Sequence, residues 1–185
     1  MFDNQIQAFN AFYAKGKSLP KGLTEIQIND AQDFYGIKFP PDLKALLMYS
    51  CPAFCNWNDY SKTNTQHFKD ALSWPIEGIL FDVENNGFWM ERWGIKPNNM
   101  KAALDVAQKR LAAVSPLIPI CGHRYIPSNP CEAGNPVYSV YQTDIIYYGK
   151  DIWDYFEIEF CGKSQQAIEF GEIKKDIPFW GELVS

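Results

Sequence analysis

The chain has 185 residues and a formal net charge of -5 at neutral pH, with 46% hydrophobic and 21% charged residues. This acidic balance disfavours binding to nucleic acid or to an anionic membrane, and the longest basic run is only Lys174-Lys175. No run reaches the ~18 apolar residues of a membrane-spanning helix, and the N-terminus lacks the pattern of a secretion signal. We therefore expect a cytoplasmic protein with a single domain over residues 1–185.

The cysteines point to the same compartment. Their number is odd, and a chain of this length builds a core without covalent cross-links. We expect reduced thiols at all five positions, which are Cys51, Cys55, Cys121, Cys131 and Cys161.

The first fifty residues predict an N-terminal helical part. Apolar residues at steps of three and four predict a first helix over residues 3–14. Thr24 and Gln27 have the spacing of a capping box at the start of a second helix, and Gly36 is its expected left-handed stop. Pro40-Pro41 then begins a third helix, because a proline in the first turn loses only an N–H that has no partner there.

The middle of the chain predicts a loop, a strand pair and a helix. Residues 52–75 are polar and irregular, which is typical of a long loop. Alternating apolar residues predict a strand over 79–83, a turn at 84–87 and a returning strand at 87–90. Apolar residues at steps of three and four after Asn98 predict the next helix.

The last third predicts strands and one more helix. We expect a short strand at 117–120, a loop at 121–136 and a hairpin formed by 137–141 and 145–148. Asp151 is the expected cap of a helix that ends at Gly162, and a tail over 163–185 packs back on the body. Strands joined by tight turns pair in antiparallel fashion, so the predicted fold is α+β, a mostly antiparallel sheet with helices packed on it.

One segment of the N-terminal part resembles a known family. It resembles the opening of the SUKH superfamily, which has a short amphipathic helix, a glycine–proline turn and a leucine-rich helix. Here the first helix begins at Leu23-Thr24-Glu25, and the turn before the leucine-rich helix is Gly36-Ile37-Lys38-Phe39-Pro40-Pro41-Asp42. That family is named partly for a fungal regulator of cell-wall synthesis. Leu117-Ile118-Pro119-Ile120 resembles a strand of the family. In the family this strand is usually followed by a glycine-rich segment that contains an acidic residue, whereas this chain has Cys121-Gly122-His123-Arg124-Tyr125 there.

The resemblance implies a SUKH-like α+β fold and a function without catalysis. Bacterial members are often immunity proteins that bind and neutralise a toxin, commonly one that attacks nucleic acid. Others are thought to be interaction modules. The family has no catalytic residues to carry over to this chain.

The residues themselves offer two kinds of chemistry. Cys121 and His123 are two apart, so the imidazole could take the thiol proton, with Asp144 orienting the ring, as in a cysteine-dependent hydrolase. A zinc site could draw on the cysteines and His123, but their spacing does not match the compact ligand pairs of structural zinc sites. We therefore expect a packed thiol, no metal and no cofactor.

The remaining hypothesis is that the chain presents a protein-binding surface. Each group of residues that could form this surface could equally serve only the packing or solubility of the fold. The tryptophan–arginine cluster near residue 90 is either a binding hot spot or core packing with the arginine over a ring. Arg124 either pairs with a buried carboxylate such as Asp82 or Glu84, or presents its donors to a ligand. Asp151, Asp154 and Glu157 form either a solvated helix face or an acidic patch that meets a basic partner. The expected partner-binding residues are Trp89, Arg92, Trp93, His123, Arg124, Tyr125, Tyr141, Asp144, Tyr148, Asp151 and Asp154.

The sequence thus predicts a protein-binding domain with a protein partner and without nucleic-acid or membrane binding. The leading hypothesis is an immunity protein that neutralises a basic toxin, such as a nuclease, with acidic and aromatic residues. The alternative is a regulatory interaction module of cell-wall or signalling type, and a third possibility is a hydrolase built on Cys121 and His123.

Overall fold

The computed structural model describes residues 2–13, 19–50, 65–165, 172–173 and 175–184. The helices among them are α1 (Asp3–Tyr13), α2 (Glu25–Tyr35), α3 (Pro41–Tyr49), α4 (Gln66–Asn85), α5 (Met100–Leu111) and α6 (Ile152–Cys161). The strands are β1 (Leu117–Cys121), β2 (Arg124–Pro127), β3 (Val137–Tyr141) and β4 (Asp144–Gly149). Short 3-10 turns cover Glu91–Trp93 and Trp180–Leu183.

The strands form one antiparallel sheet in the order β1-β2-β3-β4, which is the order of the chain. Each strand is hydrogen-bonded to the next, so the connections are short and the sheet is a meander. Helices precede and follow the sheet and pack on it. This confirms the predicted α+β class with antiparallel strands.

Helices cover both faces of the sheet. Tyr125 and Ile126 are neighbours on β2, so their side chains point to opposite faces. Ile126 belongs to a buried cluster with residues of α1, α2, α3 and α6 and with Phe68 of α4, whereas Tyr125 belongs to a second cluster with residues of α4, α5 and the C-terminal tail. The sheet therefore lies between two apolar cores, and each core depends on helices distant in sequence.

The corner between α2 and α3 forms as predicted. Thr24 and Gln27 make both hydrogen bonds of the capping box, and Gly36 ends α2 with a left-handed φ of 65°. Ser128 then ties the corner to the loop after β2, since its hydroxyl accepts from the Lys38 N–H at 2.7 Å and donates to the Lys38 carbonyl at 3.0 Å. Two further hydrogen bonds hold the corner to the same loop: the Cys131 thiol donates to the Phe39 carbonyl at 3.5 Å, and Asp42 accepts from the Gly134 N–H at 2.7 Å.

The largest difference from the sequence expectation is α4. Its residues were expected to form a loop up to 75 and a strand at 79–83, but Gln66–Asn85 is one helix. Ile79 and Val83 are buried, whereas Phe81, which the strand pattern put on their side, is 48% exposed. The apolar residues Phe68, Ile79 and Val83 recur with the period of a helix and lie on its buried side. Pro75 lies between them, and because proline disfavours a helix interior, the sequence does not predict a helix here.

Two smaller differences affect the sheet and α5. The segment expected as a loop over 121–136 contains β2, which is only four residues long and pairs on both sides. The cap of α5 is Asn99 rather than Asn98, since the Asn99 side chain accepts from the Ala102 N–H at 3.1 Å. The expected loop residues 52–64 and the turn at Cys51 lie outside the described residues.

The C-terminal elements agree with the predictions. Asp151 caps α6, and Gly162 ends it with a left-handed φ of 76°. In the tail, Ile177 and Trp180 are buried, and the Trp180 indole donates to the Ser115 carbonyl at 2.8 Å. Among the described residues, every helix is too short or too polar to cross a lipid bilayer.

Candidate functional site

The sulfur of Cys121 is held in a disulfide, whereas Cys131 and Cys161 carry free thiols. This corrects the expectation of five reduced thiols. A disulfide sulfur has no proton to give, so Cys121 and His123 do not form a ready nucleophile–base pair.

His123 lies exposed in the turn between β1 and β2. Partial desolvation and the neighbouring Arg124 guanidinium hold the pKa of His123 below its ordinary value of 6.5. Within the described part of the chain, no three His, Cys, Asp or Glu side chains come close enough to bind a metal ion together.

Arg124 braces the sheet against α6. Its guanidinium carbon lies 3.7 Å from the centroid of the Tyr148 ring, and its Nη1 donates to the Ser139 hydroxyl at 2.8 Å. Its Nε lies 3.9 Å from a Glu159 carboxylate oxygen. The expected pairing with Asp82 or Glu84 is therefore wrong, because the carboxylate beside Arg124 comes from α6.

Tyr125 is a core residue, with 2% of its surface exposed. Its hydroxyl donates to the Ala71 carbonyl of α4 at 3.0 Å, and burial raises its pKa above the ordinary value of 10.0. A side chain in this position has no surface to offer a partner. We therefore leave Tyr125 out of the contact surface.

The tryptophan–arginine cluster packs into the body of the protein. Trp93 is 6% exposed, and the Trp89 indole donates to the Gly94 carbonyl at 2.7 Å. Arg92 does lie over an aromatic ring, but the ring is that of Phe179, at 5.1 Å, and its Nη1 is paired with Glu182 at 2.7 Å. These contacts fit the packing alternative for the cluster.

The acids of α6 are already paired within the protein. Asp151 accepts from the N–H groups of Trp153 and Asp154, as an N-cap does. Lys163 lies 2.6 Å from Asp154 and 2.7 Å from Glu157. Burial alone would raise the pKa of Asp154, but the Lys150 N–H and the Lys163 ammonium outweigh it and hold that pKa below 3.8.

The tip of the β3–β4 hairpin is different, because its side chains face solvent. Tyr141 is 60% exposed and pairs across the strands with Asp144, which is also exposed. The turn between them is fixed on α4 by Asp82, whose Oδ2 accepts from the Thr143 N–H at 2.9 Å and from its hydroxyl at 2.6 Å. The tip is thus exposed and firmly anchored.

The same side of α4 carries two aromatic side chains that the sequence reading missed. Trp74 and Phe81 are each 48% exposed. They flank Gly78, which lies so close to the hairpin that a Cβ there would be 2.9 Å from the Cα of Gln142. We define the hairpin–α4 surface as Trp74, Phe81, Tyr141 and Asp144. Reading 68–83 with a period of 3.6, despite Pro75, would have placed both aromatic residues on one side of a helix.

Comparisons with known proteins add no relative. The chain matches no protein-family model, no curated protein and no solved structure. The resemblance of residues 23–52 to the SUKH superfamily therefore stays a prediction from the sequence motif.

Proposed function

We propose that the protein is a non-catalytic binding domain that neutralises a basic toxin by covering part of the toxin's surface, as a SUKH-like immunity protein would. The observation that carries this proposal is the hairpin–α4 surface, where large aromatic side chains are exposed on two adjoining elements. Tyr141 is 60% exposed at the hairpin tip, and Trp74 and Phe81 are each 48% exposed on α4, whose Gly78 lies against that tip. When a partner removes large aromatic side chains from water, the complex is stabilised by roughly 25 cal/mol per Å² of buried apolar area. Trp and Tyr are also enriched among binding hot spots.

The charge of the protein supports a basic partner. The chain is acidic overall, with a formal net charge of -5, and Asp144 lies exposed within the surface itself. An acidic patch attracts and steers a positively charged partner, and the clefts of nucleases are positively charged because they hold phosphates.

The anchoring of the hairpin supports binding without rearrangement. Asp82 holds the turn through Thr143, and Gly78 allows the turn to lie directly on α4. A surface that is already ordered loses less conformational freedom on association, which strengthens binding.

We also propose a cytoplasmic location, as the sequence predicts, and one observation conflicts with it. Disulfides are rare in the reducing cytosol, and Cys121 is disulfide-bonded. Cell fractionation with rapid trapping of thiols tests the location. Cys121 recovered reduced in the cytosolic fraction supports it, and protein recovered outside the cytoplasm with Cys121 oxidised contradicts it.

Co-expression with a toxin encoded beside the gene tests the function. The native protein should restore growth and bind the toxin, whereas Tyr141→Ala should weaken binding by roughly tenfold or more. Ile26→Ala is the matched control, because Ile26 is a large apolar residue on α2 that is 72% exposed, more than the 60% of Tyr141. Absence of both binding and protection contradicts the proposal, and binding without protection favours the regulatory module instead.

A further inference from the structure

A single row of residues on α4 combines the exposed aromatic side chains with acids. Asp70, Trp74, Glu77, Phe81 and Glu84 follow one another at steps of four, three, four and three residues. Residues at such steps lie on one side of a helix. We call this the α4 row; acids and aromatic residues alternate along it from one end to the other.

The side chains of the α4 row face solvent. Trp74 and Phe81 are each 48% exposed, and the three acids are exposed as well. The packed side of α4 is the opposite one, where Phe68, Ile79 and Val83 are fully buried. Within the described part of the chain, about half of each ring and the three acids are therefore left uncovered.

Among the described residues, no basic side chain forms an ion pair with the acids of the row. Asp70 accepts only from the Gln66 side-chain amide, at 2.7 Å, and within the described part of the chain Glu77 and Glu84 have no ion pair. Lys69, the nearest lysine along the helix, lies over the Phe34 ring of α2. The acids of α6 differ, since Lys163 lies between Asp154 and Glu157.

We infer that the α4 row is the principal contact for a basic protein partner, an inference that rests on the proposed function and names the chemistry of that partner. Acids seven residues apart on a helix lie about 10 Å apart at 1.5 Å per residue. The partner then presents lysine or arginine side chains at about this spacing, with apolar hollows between them for the two aromatic rings. A second copy of this chain does not fit, because its own row has the same negative charge.

Two pairs of variants separate the row from the rest of the acidic surface. Phe81→Ala is matched by Tyr49→Ala, since both rings are exposed on helices, by 48% and 41%. Glu77→Lys is matched by Asp30→Lys, which makes the same change of charge on an exposed position of α2. Circular dichroism and thermal unfolding should show all four variants folded, because the changed side chains are on the surface.

The first experiment uses a defined probe and does not depend on a toxin. A helical peptide with lysine at every seventh position and leucine between is titrated into the ¹⁵N-labelled protein. We expect shift changes confined to α4 and the hairpin tip, and affinity reduced about tenfold or more by Phe81→Ala or Glu77→Lys. Equal losses in the control variants, or shift changes centred on α2 or α6, overturn the inference.

The second experiment repeats the toxin co-expression with the same variants. Loss of protection in Phe81→Ala and Glu77→Lys, but not in Tyr49→Ala and Asp30→Lys, supports the inference. Full protection by all four variants overturns it and leaves the proposed function standing. If the native protein binds the peptide through α4 but protects against no toxin, the proposed function fails and the α4 contact stands.

Discussion

Tyr125 donates its hydroxyl hydrogen to the carbonyl oxygen of Ala71 at 3.0 Å, four residues before Pro75 in α4. In a regular helix the N–H of residue 75 would make that bond, but proline has no N–H. A side chain of β2 therefore completes the hydrogen bonding of a helix distant in sequence. Burial raises the pKa of Tyr125 above 10.0, so the hydroxyl keeps its proton across the physiological range.

We expect Tyr125→Phe to lower the free energy of unfolding by roughly 1–3 kcal/mol. The change keeps the buried ring and removes only the donor, so the Ala71 carbonyl is left without its side-chain partner. Urea denaturation of both proteins measures the difference.

The background variant Pro75→Ala sharpens this test. Alanine restores an N–H at position 75, which can donate to the Ala71 carbonyl. Tyr125→Phe should then cost less in the Pro75→Ala background than in the native protein, by about 1 kcal/mol. An equal cost in both backgrounds would show that the hydroxyl does not compensate for the proline.

Gly78→Ala should destabilise the protein although alanine favours helices. The new Cβ would lie 2.9 Å from the Cα of Gln142, a backbone atom that does not move aside easily. The strain of overpacking, roughly 1–3 kcal/mol, exceeds the gain of about 1 kcal/mol in helix propensity. Thermal unfolding measures the sign, and a more stable Gly78→Ala protein would show that the hairpin does not lie against α4.

Asp82 and Thr143 should be energetically coupled. Asp82 is 2% exposed and accepts two hydrogen bonds from Thr143. We expect Asp82→Ala to cost roughly 2–4 kcal/mol and Thr143→Val about 1 kcal/mol. In the double variant Thr143→Val should add little, since its acceptor is already gone. Simple addition of the two costs in denaturant titrations would contradict the coupling.

The carboxyl group of Asp42 should lower the free energy of unfolding as the pH rises from 3.8 to its pKa in the folded protein. Burial raises its pKa above the ordinary value of 3.8, although the N–H groups of Gly134 and Leu43 oppose this. Between 3.8 and the higher pKa of the folded state, the folded protein binds more protons than the unfolded one, so raising the pH favours unfolding. The stability of the native protein relative to Asp42→Asn should therefore decline over this window and stay constant above it. A carboxyl titration by NMR with its midpoint at or below 3.8 would contradict this.

Thiol labelling should distinguish the described cysteines. Alkylation of the unfolded, unreduced protein should modify Cys131 and Cys161 and leave Cys121 unmodified until a reductant is added. Peptide mass spectrometry reads each position. Cys121 labelled without reductant in protein purified under air would contradict the disulfide.

The local signals of the sequence determined where several elements begin and end. The capping box of Thr24 and Gln27, the stop at Gly36 and the cap at Asp151 all depend on groups within a few residues of each other. The two apolar runs around residues 142–143 likewise specify their own hairpin. Such features form from neighbouring residues, so the sequence alone predicts them.

Only the tertiary structure determined that residues 66–85 form a helix and which aromatic side chains of the candidate site are exposed. Pro75 argues locally against a helix, but Tyr125 satisfies the free carbonyl and the burial of Phe68, Ile79 and Val83 stabilises the helical state. The same packing turns Trp74 and Phe81 to the solvent, on the helix against which the hairpin tip lies. These outcomes depend on contacts between residues tens of positions apart. The helical period of residues 68–83 is present in the sequence, but whether the helix continues through Pro75 is decided by those distant contacts.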